Sequence, residues 1–269
     1  MPSDAEPISG AVKVLMIGDV IGEPGLKALF AGLGELRRRL GVDLVVANGE
    51  NAANGVGITA AEFGRLREAG VDVVTSGNHV WEKPGATELL EGEERLLRPA
   101  NYPPEAPGHG LAILENGGRR FAVLNLQGRE GMSPIDCPFR GAVALLDRIE
   151  VEYPGSFVIV DFHAESSEEK EALAFHVDGR VVAFAGTHTH VQTADERILP
   201  KGTGYLGDLG MTGPVDSVIG VKTDICIKRS LTQIPIKMET AEGAAGIQGA
   251  VFTIDPTSRR CISVVRLSA

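Results

Sequence analysis

The sequence predicts an α/β fold in which mixed β-sheets are flanked by helices. Two observations carry this reading. In the first half, continuous apolar runs alternate with segments of helical spacing, the pattern of parallel βαβ units. In the second half, turn residues join further apolar runs into hairpins, which adds antiparallel strands.

Val12–Ile17 is an unbroken apolar run that stops at Gly18-Asp19, as expected of a strand buried on both faces. Residues 26–40 then place Leu26, Leu29, Phe30, Leu33, Leu36 and Leu40 at helical spacing and end in Arg37-Arg38-Arg39, a charge that suits a helix carboxyl end. Residues 42–47 read as the next strand, followed at once by Asn48-Gly49-Glu50-Asn51. Thr59 is placed to cap a helix through Ala69, with Glu62 completing a capping box. Residues 71–75 form the third strand, closed by Ser76-Gly77-Asn78-His79.

Residues 111–115 and 119–126 flank Asn116-Gly117-Gly118, a hairpin signal. Residues 139–151 read as helix and 157–161 as strand. Ser166 opens a helix to about Val177, again with a glutamate, Glu169, at the capping-box position. Residues 181–185 form a strand that runs into Gly186-Thr187-His188-Thr189-His190. Residues 251–254 and 262–267 make a closing hairpin around Asp255-Pro256-Thr257-Ser258. Residues 200–249, rich in Gly, Thr and Pro and weakly periodic, are expected to be long loops. No repeat, low-complexity tract or linker divides the chain. The expectation is therefore one domain over residues 1–269, with residues 1–11 as a flexible arm.

Apolar residues make up 43% and charged residues 23% of the 269, an ordinary globular balance. No apolar run approaches the ~20 residues of a bilayer span. The opening MPSDAEPISG lacks the basic-then-apolar plan of a signal peptide, so no membrane association is expected and the cytoplasm is the expected compartment. Cys137, Cys226 and Cys261 form no CxxC pair and read as ordinary thiols. A net charge of −10 argues against a long nucleic acid as partner, which needs a basic footprint. It leaves room for a small phosphate ester, because bound metal ions reverse the field locally.

The polar residues fall in a pattern. Five apolar runs each end in a short polar cluster: Asp19; Glu50-Asn51; Asn78-His79; His163; and His188-x-His190. Ligands of open α/β sheets bind beyond the carboxyl ends of the strands, so parallel neighbours would bring these clusters to one edge. Singly, each residue has an ordinary structural explanation: an Asp after a strand caps a turn, Asn-Gly makes one, and an isolated His is more often structural. Together they offer two carboxylates, two carboxamides and three imidazoles, a mixed set that suits Fe, Mn or Zn better than Ca or Mg. Seven protein ligands are too many for one ion and about right for two that share a carboxylate. Of the six histidines only His109 and His176 lie outside the clusters, and both read as structural.

Gly18-Asp19, Asn48-Gly49-Glu50-Asn51, Gly77-Asn78-His79, His163 and Gly186-Thr187-His188-Thr189-His190 resemble the motifs of the calcineurin-like metallophosphoesterases. Their order and spacing, and the loop Gly207-Asp208-Leu209-Gly210-Met211-Thr212-Gly213-Pro214, are similar to the YmdB-like branch of cyclic-nucleotide phosphodiesterases. The resemblance runs from about Lys13 to the carboxyl end. In two places the chain departs from the wider superfamily. Asp19-Val20-Ile21 replaces the usual Asp-x-His, and Glu50 replaces the usual bridging Asp, with Asn51 beside it to fill the missing position.

What the resemblance implies is a metallophosphoesterase sandwich and two metal ions, Fe or Mn first and Zn as the alternative. One would be held by Asp19, Glu50, Asn51 and His190, the other by Glu50, Asn78, His163 and His188, with Glu50 bridging. Water activated by the metals would attack phosphorus, and His79, not itself a ligand, would protonate the leaving oxygen. A small phosphodiester, above all a 2′,3′- or 3′,5′-cyclic nucleotide, is the expected substrate. Trp81 and Tyr205 are the candidates to stack on a base. Lys222, Lys228 and Arg229 are candidates to meet phosphate, though a solvated surface is the commoner place for such residues. Two other readings share these residues: a phosphomonoesterase or nucleotidase, and a regulatory protein whose metal site binds more than it turns over. The Gly-rich late segment also allows a homo-oligomer interface.

Overall fold

Residues 10–269 are described here from a computed structural model. The expected flexible arm falls almost wholly outside these residues; of its last two, Gly10 accepts a hydrogen bond from the Arg119 guanidinium through its carbonyl.

The chain runs through β1 (Val12–Ile17), β2 (Asp19–Val20), α1 (Gly22–Leu40), β3 (Leu44–Asn48), α2 (Ala60–Ala69), β4 (Val73–Thr75) and α3 (Ala86–Gly92). It continues through β5 (Leu111–Asn116), β6 (Arg119–Gln127), α4 (Pro138–Glu152), β7 (Phe157–His163), α5 (Ser167–His176) and β8 (Ala183–Thr187). The remaining elements are β9 (Arg197–Ile198), β10 (Gly204–Leu206), β11 (Met211–Pro214), α6 (Thr223–Thr232), β12 (Ala245–Gly246), β13 (Gln248–Ile254) and β14 (Cys261–Ser268).

Two large sheets face each other. The first has the order β14-β13-β1-β3-β4, with β1, β3 and β4 parallel and β13 antiparallel to β1 and β14. The second has the order β5-β6-β7-β8-β10-β9, with β6, β7, β8 and β10 parallel. Their inner faces share one core that includes Val14, Met16, Val46, Phe121, Ile159 and Phe252. On the outer side of the first sheet, Leu15, Val45 and Val74 pack with Leu29 and Leu33 of α1 and Leu66 of α2. On the outer side of the second, Leu124, Val160 and Phe184 pack with Leu146 of α4 and Leu173 of α5. The architecture is therefore a four-layer α/β/β/α sandwich. Strands with both faces covered must be apolar throughout, which is why they read as continuous runs. Among the described residues no helix is long and apolar enough to cross a membrane.

The differences from the sequence reading have local causes. β3 and β4 each begin two residues later than expected. Val42 and Val71 are buried, yet they belong to the helix stops. The preceding Gly41 and Gly70 are left-handed, and the amides of Val42 and Val71 bond back to the carbonyls of Arg37 and Leu66 at 3.0 and 3.1 Å. This is the Schellman arrangement, in which the apolar residue after the glycine folds onto the helix. α1 begins at Gly22, with Pro24 in its first turn, and Phe30 lies outside the buried stripe. The capping box at Thr59 and Glu62 forms as expected. At α5 only half of it does: Ser166 accepts from the Glu169 amide, while the Glu169 carboxylate accepts instead from the amides of Arg129 and Glu130.

Residues 200–249 are not simply long loops, since β10, β11, α6 and β12 lie there. Pairings of two or three residues, and a helix that buries none of its residues, leave no periodicity to read. β13 likewise starts three residues earlier than its apolar pattern. Gly249 permits this, because a Cβ there would meet the Met16 carbonyl oxygen at 2.2 Å.

The contrast between adjacent residues of α1 gives a test of the packing. Leu29 is 0% exposed and Phe30 65%. Leu29→Ala is expected to lower the unfolding free energy by about 3 kcal/mol. Phe30→Ala should change it by no more than about 0.5 kcal/mol. Urea denaturation of the two variants measures both.

Candidate metal centre and active site

The parallel strands deliver all five polar clusters to one edge. Asp19 follows β1, Glu50 and Asn51 follow β3, and Asn78 and His79 follow β4 from the first sheet. His163 ends β7, and His188 and His190 follow β8 from the second. The structure thus brings together every residue expected to bind metal.

Four donor atoms gather at His163. Its Nε2 lies 2.9 Å from Glu50 Oε1, 3.1 Å from Asn78 Oδ1 and 3.0 Å from His188 Nδ1. Ligands held at ~2.1 Å around one ion stand about 3 Å apart at neighbouring corners of an octahedron. The spacing fits a transition-metal ion. Glu50, His163 and His188 are also close enough, with one atom from each, to share an ion. His163 reaches this position because Gly77 has no side chain: a Cβ there would lie 2.0 Å from the His163 ring.

The second group lies beside it. His190 Nε2 is 3.7 Å from Asp19 Oδ1, and the Asn51 amide nitrogen is 3.2 Å from His190 Nε2, 3.5 Å from Asp19 Oδ1 and 3.4 Å from Glu50 Oε1. Rotation of the Asn51 amide by a half turn puts its oxygen at the same point, so this position can serve either as donor to the acids or as ligand to a cation. Glu50 Oε1 adjoins both groups. Its other oxygen accepts from the His79 amide at 3.1 Å.

Each histidine is oriented by its far nitrogen. Thr187 Oγ1 donates to Asp161 Oδ1 at 2.7 Å, so it accepts from His163 Nδ1 at 2.9 Å and leaves Nε2 facing the cluster. His188 Nε2 faces Glu165 at 3.1 Å, and His190 Nδ1 donates to the Ile219 carbonyl at 2.9 Å. Carboxylate or carbonyl partners of this kind fix the tautomer and raise the basicity of a ligating imidazole.

The charges demand a positive centre. Burial opposes ionisation of Glu50, but the adjoining His163 outweighs it and holds the carboxyl down at about 2. Burial also opposes charge on His163, but Glu50 and Asp19 beside it raise that ring to about 9. Burial and the neighbouring His163 charge push His188 down to about 3. Burial raises the Asp19 carboxyl against the pull of His190 and His163. The point among Glu50, Asn78, His163 and His188 thus holds either a proton or a cation.

The loop that carries His188 and His190 is held in an unfavourable conformation. Both residues have positive φ, at 103° and 63°, a region that non-glycine side chains rarely adopt. Asp19 Oδ2 accepts from the His188 amide at 3.1 Å, and Asp208 Oδ2 from the Thr189 amide at 3.2 Å. Asp208 is in turn paired with Lys170 Nζ at 2.8 Å, both of them 1% exposed. Lys170, Asp208, Asp161, Thr187 and Glu165 were not singled out as site residues in the sequence. Asp161 was the one open to notice, as a carboxylate inside an apolar run.

A cavity of about 690 Å³ opens over the cluster. Glu50, Asn51, His79, His188 and His190 line it, together with Ile219, Arg229, Lys237 and Met238 from the segment around α6. Of the residues expected to contact substrate, Arg229 lines the cavity, whereas Lys222 pairs with Glu239 at 2.7 Å and Lys228 is exposed elsewhere. Tyr205 is corrected: it is buried in the outer core against Phe184 and cannot stack on a base. Trp81 packs edge-on to Tyr102, with ring centres 5.5 Å apart, and also lies off the cavity. His109 and His176 are structural, the first bonded to the Glu94 carbonyl and the second against Phe139.

Lys170→Met leaves Asp208 buried without its partner. We expect a stability loss of about 3 kcal/mol. A looser His188–His190 loop should also lower metal retention, which dialysis against a chelator followed by elemental analysis would show.

A family profile described as YmdB-like protein matches residues 15–267. The 2′,3′-cyclic-nucleotide 2′-phosphodiesterase of Bacillus subtilis (strain 168) is 40% identical over 256 residues, 95% of this chain and 96% of that protein. A crystal structure of a protein from Thermus thermophilus superposes with a TM-score of 0.87 at 43% identity, covering 96% of this chain and 99% of that one. A crystal structure of a phosphatase from Mycoplasma pneumoniae gives 0.90 at 31% identity, over 96% and 93%. With the ligand motifs gathered at one edge of the sandwich and the match extending over almost its whole length, the chain belongs to the YmdB-like family of calcineurin-like metallophosphoesterases.

Proposed function

We propose that this protein hydrolyses phosphodiesters, cyclic nucleotides first among them, at a centre for two metal ions, with His79 as the general acid. The observation that carries the reading is the pair of adjoining donor groups that share Glu50. Asn78, His163 and His188 would complete one site, and Asp19, Asn51 and His190 the other. Fe or Mn fits the mixed O/N donor set, with Zn as the alternative. When bound, the two ions supply an activated water and neutralise charge on the phosphoryl oxygens. The B. subtilis relative supports a cyclic nucleotide as substrate.

The residues of the chain do the rest. The strand ends fix the ligands, and the cavity is large enough for a nucleotide. As the water oxygen bonds to phosphorus, the P–O bond to the leaving oxygen breaks, and that oxygen needs a proton. The His79 ring lines the cavity, and its backbone amide is bonded to Glu50, which ties the acid to the shared carboxylate. Its Nδ1 lies 3.6 Å from Glu82.

Elemental analysis should find two ions per chain, and a chain that holds only one would exclude the two-metal centre. In a panel of 2′,3′- and 3′,5′-cyclic nucleotides with bis- and mono-nitrophenyl phosphate, diesters should be the faster substrates. Faster turnover of the monoester would favour a nucleotidase instead. His79→Ala should keep its metals and lose about 10²-fold or more on alkyl esters. Its loss on a nitrophenyl ester should be much smaller, because that leaving group departs without a proton. Equal losses would remove His79 as the acid.

Metal loading should depend on pH with a defined sign. His163, raised to about 9, carries a proton at neutral pH that an entering cation must displace, whereas His188, lowered to about 3, does not. Apparent affinity should therefore rise with pH by about tenfold per unit up to about 9. Calorimetry in buffers of different ionisation enthalpy measures both the affinity and the proton released.

A further inference from the structure

Part of the cavity lining comes from the segment around α6, with Ile219, Val221 and Met238 as apolar surface and Arg229 and Lys237 as its cations. The acids of the same cavity all have partners. Glu50 belongs to the metal cluster, Glu165 faces His188 Nε2 at 3.1 Å, and Glu239 is paired with Lys222 at 2.7 Å. The cations do not: among the described residues, neither Arg229 nor Lys237 has a carboxylate within salt-bridge distance. Among the described residues, the one side-chain hydrogen bond of the Arg229 guanidinium goes to the Met238 sulfur, a weak acceptor that leaves most of its five donors unused.

The candidate metal ligands, which would meet the phosphate that reacts, come from the strand ends, whereas Arg229 and Lys237 come from the segment around α6. We propose that Arg229 and Lys237 form a second anion subsite, so that the preferred substrate is a nucleotide carrying a phosphate besides the one hydrolysed, such as a 2′,3′-cyclic nucleotide with a 5′-phosphate. This rests on the phosphodiesterase reading for the position of the reacting group. The guanidinium fork matches two phosphate oxygens at once, and the lysine adds a mobile point charge. The apolar surface of Ile219, Val221 and Met238 in the same cavity suits a ribose and base. α6 buries none of its residues, so the subsite can be altered without disturbing the core.

The test compares ligands that differ only by the second phosphate. Adenosine 3′,5′-bisphosphate and adenosine 3′-monophosphate are titrated into the metal-loaded protein by calorimetry. The bisphosphate should bind about tenfold more tightly. In the double variant R229Q/K237Q this ratio should fall to within about twofold, with circular dichroism confirming the fold. Kinetics should follow: kcat/KM for 2′,3′-cyclic AMP bearing a 5′-phosphate should exceed that for 2′,3′-cyclic AMP, chiefly through KM, and the double variant should lose the preference. Equal affinities in the unmodified protein, or a ratio that survives the double substitution, would overturn the subsite. Turnover of 2′,3′-cyclic AMP alongside equal affinities removes the subsite and leaves the activity standing. A bisphosphate preference without turnover of either ester removes the activity and leaves the subsite.

Discussion

Asp161 is the group on which the rest of the site depends. It is fully buried between the two sheets and bonded to both. From the first sheet, Thr75 on β4 and Asn48 on β3 donate to Oδ2; from the second, Thr187 on β8 donates to Oδ1. Burial raises its carboxyl to about 6 against the pull of Thr75 and Thr187, which keeps it ionised at neutral pH. Its charge also decides the chemistry one step outwards. Because Thr187 gives its proton to Asp161, it can only accept from His163 Nδ1, and His163 Nε2 is therefore the nitrogen that faces Glu50. One carboxylate joins the layers of the sandwich and orients the ring of a candidate ligand.

The same economy recurs at the loop after β8. Two histidines with positive φ are strained wherever they occur, and such strain persists only if the surroundings over-determine it. Here Asp19 holds the first amide of the loop and Asp208 the next, while Lys170 neutralises Asp208 in the interior. Asp19 thus has one oxygen on the loop backbone and the other toward His190. A residue that aligns its neighbours in this way cannot be moved without moving the centre, which ties metal binding to the integrity of the fold at this edge.

How much of this was legible in the sequence follows from where the information lies. Strands covered on both faces must be apolar and must end in a polar turn, so β1, β3, β4, β7 and β8 and the residues after them could be found from a single sequence. Val42 and Val71 misled at the strand starts because burial in a helix stop and burial in a strand demand the same residue type. Phe30 misled because periodicity counts an exposed aromatic like a buried one. Tyr205 misled because its hydroxyl reads as surface although its ring lies in the core. Lys170 and Asp208 are 38 residues apart and look like any surface lysine and loop aspartate; only the fold brings them together. The segment from 200 to 249 was least legible, because it is ordered by backbone pairings such as that of Met211 with Asp19, which leave no mark on side-chain pattern.

That last segment also differs from the strand ends in how freely its residues can vary. Among the positions brought together here, every metal-binding candidate follows a strand of the two large sheets, and each of the three imidazoles is fixed by a second bond to its far nitrogen. The segment around α6 obeys no such constraint. α6 has no buried residue, and Val218, Ile219, Ile227, Leu231, Ile234 and Met238 are exposed. Substitutions there escape the cost of core repacking, whereas substitutions at the strand ends disturb ligands that hold one another in place. One direct link between the strand ends and this segment is the Ile219 carbonyl, which accepts from His190 Nδ1. It is made by backbone and is therefore indifferent to side-chain identity. Under the proposed function, a centre linked to this segment through a main-chain atom would keep its ligand geometry while the side chains of the segment vary.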